Sequence, residues 1–183
     1  ENVIVLVNAV QMDLPELDEY ADSILWVGLP GAYGFEGIAR LLDGTFSPSG
    51  ALADTFAVQS SNSIAMVNQQ YSFQSGNGIT IDNEAYTNEF YAPEVEGIYT
   101  GYKYYESRYY DSVMDERNAR DAVGATGGAE TWNYNDEVVW PFGYGLSYTE
   151  FEEDGLTVTA DDGSQEVAAE VTVKNTGDTA GKH

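Results

Sequence analysis

The chain contains 183 residues, of which 43% are hydrophobic, and this is enough for one ordinary domain and a small second piece. Its 31 acidic and 7 basic residues give a formal net charge of -24, which repels phosphate backbones and anionic lipids, so neither nucleic acid nor a membrane is expected as a partner. Since cysteine is absent and the only histidine is His183, the sequence excludes disulfides and thiolate sites, and it predicts no metal, no cofactor and no Ser–His–Asp triad.

The first part of the chain predicts a repeated strand–helix unit. Residues 3–7 form a continuous β-branched run, which is typical of a strand buried on both faces of a parallel sheet, and residues 23–28 predict a second buried strand. Between them, Asp13 is a candidate N-cap for a short helix with Pro15 in its first turn. Residues 34–42 predict a second helix. Strand, helix, strand and helix in this order indicate βαβ units and a parallel sheet.

The middle of the chain is less regular. Residues 51–57 predict an extended piece, and residues 58–93 predict a long polar loop with a short helix within residues 62–70. Loops of this length in compact domains are often functional. The run of glycine and tyrosine over residues 97–105 predicts a strand. Residues 114–128 predict a helix that breaks at its glycines.

The character of the sequence changes near its end. Residues 138–148 are aromatic and interrupted by glycine and proline, which favours an irregular segment packed against a surface. Residues 156–160 and 167–173 alternate around a turn, which predicts an antiparallel hairpin of a β-sandwich. We therefore predict two domains: an α/β sandwich with a mostly parallel, flavodoxin-like sheet over residues 1–152, and the first strands of a β-sandwich over residues 153–183.

Five segments, in order along the chain, carry a specific resemblance. Residues 140–151 read WPFGYGLSYTEF and residues 96–105 read EGIYTGYKYY. The other three segments are residues 22–31, 37–56 and 171–181. Together they resemble the C-terminal part of the glycoside hydrolases of family 3, whose most recognisable run is Pro-Phe-Gly-(Tyr/Phe)-Gly-Leu-Ser-Tyr-Thr-x-Phe. The resemblance covers nearly the whole chain and implies the later part of an α/β-sandwich domain, followed by the beginning of a fibronectin type III-like domain.

The resemblance also implies an activity. Such enzymes resemble retaining β-glycosidases, in which one carboxylate is the nucleophile and another is the general acid/base. In the family the nucleophile is an Asp of a separate barrel domain, and the acid/base is often a Glu on a loop before the strand that residues 3–7 match. Neither is expected in this chain, so the fragment alone should not hydrolyse glycosides. The implied partners are an oligosaccharide or glycoside substrate, the barrel domain and the upstream strands of the sandwich.

The beginning of the chain suggests a longer protein. Glu1 leads directly into a predicted strand and no initiator Met precedes it. A parallel sheet that starts at Val3 lacks the strands that would cover its apolar edge. We therefore expect the missing part to be supplied by another chain, by formation of a homo-oligomer, or by a rearranged sheet.

Two residues are candidates for contact with a sugar. Tyr33 and Glu36 follow Pro30 and Gly31, where the resemblance places the wall of the family's pocket, although the family usually has Gln-Glu-Gly-Gly there. Tyr33 offers a flat ring for stacking, whereas Glu36 is better explained as a charge near the N-terminus of a helix. Trp26 is predicted to lie in the core, and the tyrosines of residues 99–110 are interpreted mainly as packing residues.

Two other classes of function are alternatives to the glycosidase. A flavodoxin-like sheet can bind a nucleotide, but no glycine-rich phosphate loop follows Val7, where Asn8 to Gln11 stand instead. The alternative that stays open is a non-catalytic carbohydrate-binding or structural module, which would bind sugar without a pair of catalytic carboxylates.

Overall fold

The computed structural model organises the chain as short helices and short strands. It describes residues 2–10, 12–68, 79–81, 84–86, 94–122, 124–125, 131–160, 163 and 166–183. In chain order the helices are α1 (Pro15–Tyr20), α2 (Gly34–Leu42), α3 (Ile64–Asn68, after a 3₁₀ turn at Ser60–Asn62), α4 (Tyr102–Met114) and α5 (Tyr134–Glu137). The strands are β1 (Ile4–Val7), β2 (Ser23–Trp26), β3 (Phe56–Ala57), β4 (Ile79–Ile81), β5 (Glu84–Tyr86), β6 (Val138–Trp140), β7 (Phe151–Ala160) and β8 (Val167–Asn175).

The chain divides into two compact units. The first unit comprises Glu1–Val5, Val10–Leu25 and Ala53–Phe142. The second unit comprises Leu6–Ala9, Trp26–Leu52 and Gly143–His183. The predicted domain boundary at residue 152 falls inside the second unit, and the two predicted domains stay a prediction.

β1 and β2 form a parallel pair. Val3 O accepts from Ser23 N at 3.3 Å, and Val7 O accepts from Val27 N at 3.0 Å, so both strands run in the same direction. Each of the four sheets formed by the described residues has two strands, and the other three pairs are antiparallel. The chain is therefore α/β, but the prediction of a mostly parallel sheet is wrong for the described part of the chain.

The parallel strands are also more exposed than predicted. Ile4 is 56% exposed and Leu6 is 41% exposed, and within β1 only Val7 is buried. Trp26, which was predicted to lie in the core, is 42% exposed, and its indole N–H donates to Ala9 O at 2.9 Å. A β-branched run is buried on both faces only when other layers cover both faces of its sheet. The sequence of the strand alone does not show whether such layers are present.

Helices α1 and α2 lie where the sequence predicts them. Pro15 opens α1, and α2 begins and ends at the predicted residues with Ile38 buried. The N-cap of α1 is Leu14, however, and the prediction that Asp13 caps this helix is wrong. The Asp13 carboxylate instead accepts from Ser60 N at 3.0 Å and from Ser60 Oγ at 3.1 Å. A partner 47 residues away has taken the group that local spacing assigns to a cap.

The strand predicted over residues 97–105 is wrong, because a turn leads into helix α4, which begins at Tyr102. The buried residues of α4 are Tyr104, Tyr105, Arg108 and Asp111. They recur at the spacing of one helix face, but half of them are polar, so the hydrophobic pattern does not reveal the helix. The helix ends at Met114, and Asp115 follows in the left-handed conformation with φ 53°. The prediction of a helix that starts at residue 114 is therefore also wrong.

The core of the first unit forms around α4. Its buried hydrophobic residues are Ala57, Ile64, Tyr104, Tyr105, Ala119 and Val138. The predicted extended piece over 51–57 is reduced to β3, which pairs antiparallel with β6. The predicted short helix within residues 62–70 corresponds to α3, and most of the predicted loop that follows it lies outside the described residues.

In the second unit, the aromatic segment that follows Phe142 packs against residues 41–52, which agrees with the irregular packed segment predicted there. Gly143 N donates to Leu52 O at 2.8 Å, and Leu52 N donates to Tyr144 O at 2.9 Å. A Cβ at Gly145 would lie 2.2 Å from Gly50 O, so the two backbones approach as closely as they do only because position 145 is glycine.

β7 and β8 form the predicted antiparallel hairpin. Val158 lies opposite Ala169, and a bulge at Gly155, with φ +70°, shifts the register. At the base of the hairpin, Thr149 Oγ1 donates to Asn175 Oδ1 at 2.7 Å. The register places a set of exposed apolar side chains on one face: Leu156, Val158, Val167, Val171 and Val173.

Across the described residues, the helices are all too short or too polar to cross a membrane.

Candidate functional site

The first unit contains a cleft of about 270 Å³ that we call the Tyr105 cleft. Its polar lining includes the carboxylates of Asp54 and Glu96, the hydroxyls of Ser60 and Ser63, and the phenol of Tyr105. Its apolar lining includes Met12, Ala57, Ile64, Tyr99 and Tyr104. The lining comes from Met12, from residues 54–57, from residues 60–66 and from residues 96–105, so four chain segments build the cleft.

Asp54 ties the cleft to α4. Its Oδ1 accepts from Tyr102 N, the first N–H of α4, at 2.7 Å, and from Thr55 N at 2.9 Å. The N-cap residue Gly101 has no side chain to do this and adopts φ +55°. A negative charge at a helix N-terminus is stabilised by the helix dipole. The geometry thus explains Asp54 as a cap supplied from a distant segment.

Tyr105 places a buried phenol in the lining of the cleft. The residue is 5% exposed, and its hydroxyl has no hydrogen-bond partner among the described residues. Burial raises the pKa of Tyr105 to about 12, and the negative charges of Glu137, Asp54 and Asp13 act in the same direction. The phenol therefore stays protonated at neutral pH.

The neighbouring carboxylates have protein partners. Asp13 is held by Ser60, and Glu137 Oε2 accepts from Asn62 Nδ2 at 3.3 Å. Glu96 differs, because its Oε2 is buried and lacks a hydrogen-bond partner in the described part of the chain. No group of three or more His, Asp or Glu among the described residues could hold a metal ion.

A second, more open depression of about 440 Å³ lies on the other side of α4, beside Glu106, Tyr110 and Asn118. Tyr134 Oη donates to Glu106 Oε1 at 2.7 Å. Burial and this hydrogen bond raise the pKa of Tyr134. Of the tyrosines interpreted as packing residues, Tyr104 and Tyr105 are buried, whereas Tyr109 and Tyr110 are about half exposed.

The two predicted sugar contacts, Tyr33 and Glu36, lie in the second unit at the start of α2. Tyr33 is 93% exposed and is the N-cap residue of α2. Glu36 lies in the first turn, and its Oε1 accepts from Arg40 Nη2 at 2.5 Å. Gly31, with φ +65°, turns the chain between β2 and α2, so both side chains follow the carboxyl end of a parallel strand. The i,i+4 ion pair gives Glu36 a structural role of the kind favoured from the sequence.

Two functional-looking side chains of α4 were missed by sequence reasoning. Arg108 is 2% exposed, donates to Tyr104 Oη, and lies 4.6 Å from the centre of the Trp132 ring. Asp111 is fully buried and accepts from Asn118 N at 3.0 Å, from Asn118 Nδ2 at 2.8 Å and from Arg120 N at 2.9 Å. The only sequence signal was their spacing from Tyr104, at i+4 and i+7 of a helix.

Asp111 organises the loop after α4. Burial alone would raise the pKa of Asp111, but hydrogen bonds from Arg120 and Asn118 hold it below its ordinary value. The carboxylate is therefore ionised and structural. It is the hydrogen-bond acceptor for the backbone N–H groups of Asn118 and Arg120 in the loop after α4.

Comparison with known proteins finds relatives along nearly the whole chain. A family model described as "Glycosyl hydrolase family 3 C-terminal domain" matches residues 1–148. The chain is 29% identical over 182 residues to thermostable beta-glucosidase B of Acetivibrio thermocellus, and 98% of the chain covers 18% of that protein. It is 30% identical over 177 residues to periplasmic beta-glucosidase of Salmonella typhimurium, with 96% of the chain covering 18% of that relative.

Solved structures show the same likeness. Beta-glucosidase 3B from Thermotoga neapolitana, solved in complex with glucose, matches 99% of the chain with a TM-score of 0.64 and 26% identity. The matched part is 20% of that protein. The chain thus spans about a fifth of the length of the proteins it resembles.

Proposed function

Since this chain belongs to the glycosyl hydrolase family 3 C-terminal domain family, we propose that it is the non-catalytic, pocket-supporting part of a retaining β-glycosidase. The observation that carries the proposal is the family match over residues 1–148, together with similarity to beta-glucosidases over 98% and 96% of the chain. The proposed reaction of the whole protein is hydrolysis of O-glycosidic bonds in oligo- or polysaccharides, as in a β-glucosidase.

In this proposal both catalytic carboxylates lie outside the chain. The nucleophile belongs to a separate barrel domain, and the acid/base belongs to a loop upstream of the strand that β1 matches. Three carboxylates in or near the Tyr105 cleft support this division, because Asp54 caps a helix and Asp13 and Glu137 accept hydrogen bonds from Ser60 and Asn62. A carboxylate that serves as a structural acceptor is poorly placed to act as a nucleophile.

We assign the role of sugar contact to Tyr33 and Glu36. Ligands of parallel α/β sheets bind beyond the carboxyl ends of the strands, and both residues follow the end of β2. Tyr33, at 93% exposure, has a free ring face for a pyranose. Glu36 would contact a sugar hydroxyl while it pairs with Arg40.

The proposed domain order is an α/β sandwich over residues 1–152 and the beginning of a fibronectin type III-like domain over residues 153–183. The flavodoxin-like sheet would be completed by upstream strands that pair with β1 and β2, or by a second copy of the chain in a homo-oligomer. The exposure of Ile4 and Leu6 supports such a partner, because apolar strand residues of this size are usually covered.

The test is hydrolysis of a panel of nitrophenyl β-glycosides by the chain alone and by the longer gene product that contains it. Turnover by the longer product alone is the expected result. Turnover by the chain alone would show that the carboxylate pair lies within it and would overturn the proposal. Saturable glucose binding by the chain, without turnover by either protein, would favour the alternative of a carbohydrate-binding module, for which the exposed Tyr33 is the supporting observation.

A further inference from the structure

The Tyr105 cleft contains two buried oxygen atoms for which the described residues provide no hydrogen-bond partner: Tyr105 Oη and Glu96 Oε2. Both residues line the same cleft, and Tyr105 is 5% exposed. A buried polar atom that makes no hydrogen bond lowers the stability of the fold, and such atoms in native proteins mark a missing water, ion or ligand. A carboxylate oxygen accepts hydrogen bonds, and a phenol oxygen both accepts and donates them. A ligand that satisfies both atoms must therefore bring N–H or O–H donors.

The negative charge around the cleft favours a positively charged hydrogen-bond donor over a neutral one. Asp54 and Glu96 contribute carboxylates to the lining, and the described lining residues include no lysine, arginine or histidine. Asp13 and Glu137 lie close enough for their charges to act on the Tyr105 phenol. The formal charge of the whole chain is -24. A cation is thus favoured over a neutral donor, and it is favoured most strongly where water is excluded.

The walls of the cleft restrict the shape of that cation. Ala57, Ile64 and Tyr104 are 8%, 2% and 2% exposed and form an apolar floor. A bare metal ion would leave this apolar surface uncovered, and the described residues offer no group of three metal ligands. The volume of about 270 Å³ has room for a short alkyl stem that ends in a charged nitrogen group.

We propose that the Tyr105 cleft binds an alkylammonium or alkylguanidinium group, with its stem against Ala57 and Ile64 and its N–H groups donating to Glu96 Oε2 and Tyr105 Oη. Free amines carry this chemistry, and so do lysine and arginine side chains of another polypeptide segment. The inference rests on the cleft of the first unit and does not depend on the proposed glycosidase role.

The test is a titration of the 183-residue chain with n-butylguanidinium and n-butylammonium chloride, followed by ¹H–¹⁵N NMR. Sodium chloride at matched ionic strength and neutral n-butanol serve as controls. We expect saturable binding of both cations. The affinity for n-butanol should be weaker by about tenfold or more. Equal affinity for n-butanol, or no saturable binding of either cation, overturns the proposal.

Two pairs of variants locate the site. Tyr105→Phe and Glu96→Gln should each weaken cation binding by about tenfold. Tyr110→Phe, on the same helix, and Glu94→Gln, two residues from Glu96, remove the same groups outside the cleft and should leave the affinity unchanged. Unchanged affinity in Tyr105→Phe and Glu96→Gln would overturn the assignment. Removal of an unpartnered hydroxyl should not lower the melting temperature of Tyr105→Phe, so a loss of binding there does not report unfolding.

A further arm separates the two sources of the cation. The peptide acetyl-Ala-Arg-Ala-amide is compared with n-butylguanidinium, with a citrulline peptide as the neutral control. Tighter binding of the arginine peptide supports a side chain of another polypeptide as the occupant, and tighter binding of the free cation supports a small amine. Binding of the citrulline peptide as tight as that of the arginine peptide contradicts the proposal.

Discussion

The carboxylate of Asp54 caps a helix that begins 48 residues further along the chain: its Oδ1 accepts a hydrogen bond from Tyr102 N at 2.7 Å. The residue at the cap position, Gly101, cannot do this itself. The start of α4 is therefore fixed by a long-range contact, and the first unit depends on that contact for the placement of its core helix.

Removal of the Asp54 side chain should expose this dependence. We expect Asp54→Ala to lower the free energy of unfolding by about 1 to 2 kcal/mol, because the first N–H of α4 loses its acceptor. Asp54→Asn keeps an acceptor oxygen and loses only the charge, so it should cost about 0.5 kcal/mol. Urea denaturation followed by circular dichroism measures both, and equal losses in the two variants would contradict the role of the hydrogen bond.

Gly101 should tolerate no side chain. A Cβ there would lie 2.9 Å from Asp54 Oδ1, and φ is +55°. We expect Gly101→Ala to cost about 2 kcal/mol or more, through backbone strain and displacement of the Asp54 cap. Gly97→Ala is the matched control, because its φ is +54° and no atom lies within 4 Å of the added Cβ. It should show only the backbone cost of about 1 kcal/mol, so equal losses in chemical denaturation would argue against a steric conflict at Gly101.

Asp111 should be the most costly carboxylate to replace. We expect Asp111→Asn to lose about 1 to 3 kcal/mol, because one acceptor of the N–H groups of residues 118–120 becomes a donor. Asp115→Asn is the control, since its side chain is 96% exposed and Asn also tolerates the left-handed conformation. That variant should be nearly neutral in thermal and urea unfolding, and a large loss there would mean that the turn, rather than Asp111, stabilises the loop.

The same carboxylate sets a dependence on pH. The pKa of Asp111 is lowered in the folded chain, so its contribution to stability is fully present above the unfolded pKa of about 4. It is lost as the pH falls through the lower folded pKa. We therefore expect the difference in stability between wild type and Asp111→Asn to be constant from neutral pH down to about pH 4 and to shrink below it. A difference that persists unchanged at pH 2 would show that the charge of Asp111 does not matter.

Two glycines of α2 should respond to alanine in opposite directions. A Cβ at Gly34 would lie 2.4 Å from Pro30 Cβ, whereas at Gly37 no atom lies within 4 Å. We expect Gly37→Ala to stabilise the chain by about 0.5 to 1 kcal/mol, because glycine within a helix carries an entropic cost. Gly34→Ala should destabilise it by about 1 to 3 kcal/mol through the clash with Pro30. Thermal unfolding of both variants tests the close packing of this turn, which a stabilising Gly34→Ala would refute.

The parts of the fold that sequence reasoning predicts well are those whose signals are local. α2 and the β7–β8 hairpin carry their own periodicity, and Pro15 marks the start of α1. Helix α4 was missed because its buried face uses Arg108 and Asp111, whose partners Trp132 and Asn118 lie beyond the helix. A hydrophobic pattern cannot reveal a face that is stabilised by buried polar contacts.

The candidate sites differ in the same way. Tyr33 and Glu36 were found from a turn motif, and the structure places both at that turn. Their contact with sugar stays a prediction. The Tyr105 cleft was not predicted, because it is built from segments near Asp54, Ser60 and Glu96 that are far apart in sequence. No local sequence pattern predicts that these segments lie together. The one sequence feature that pointed to the cleft was the dense run of tyrosines that follows Gly97.

The exposed valines on one face of the β7–β8 hairpin affect how the solubility of the chain depends on salt. Val158, Val167 and Val171 are 61%, 68% and 44% exposed. They form an apolar surface to which other molecules can bind. The net charge of -24 keeps molecules apart at low ionic strength. Added salt shortens the reach of that repulsion to about 3 Å at 1 M while leaving the apolar attraction intact. This strongly acidic chain should therefore be most soluble in dilute buffer and should self-associate as salt is raised.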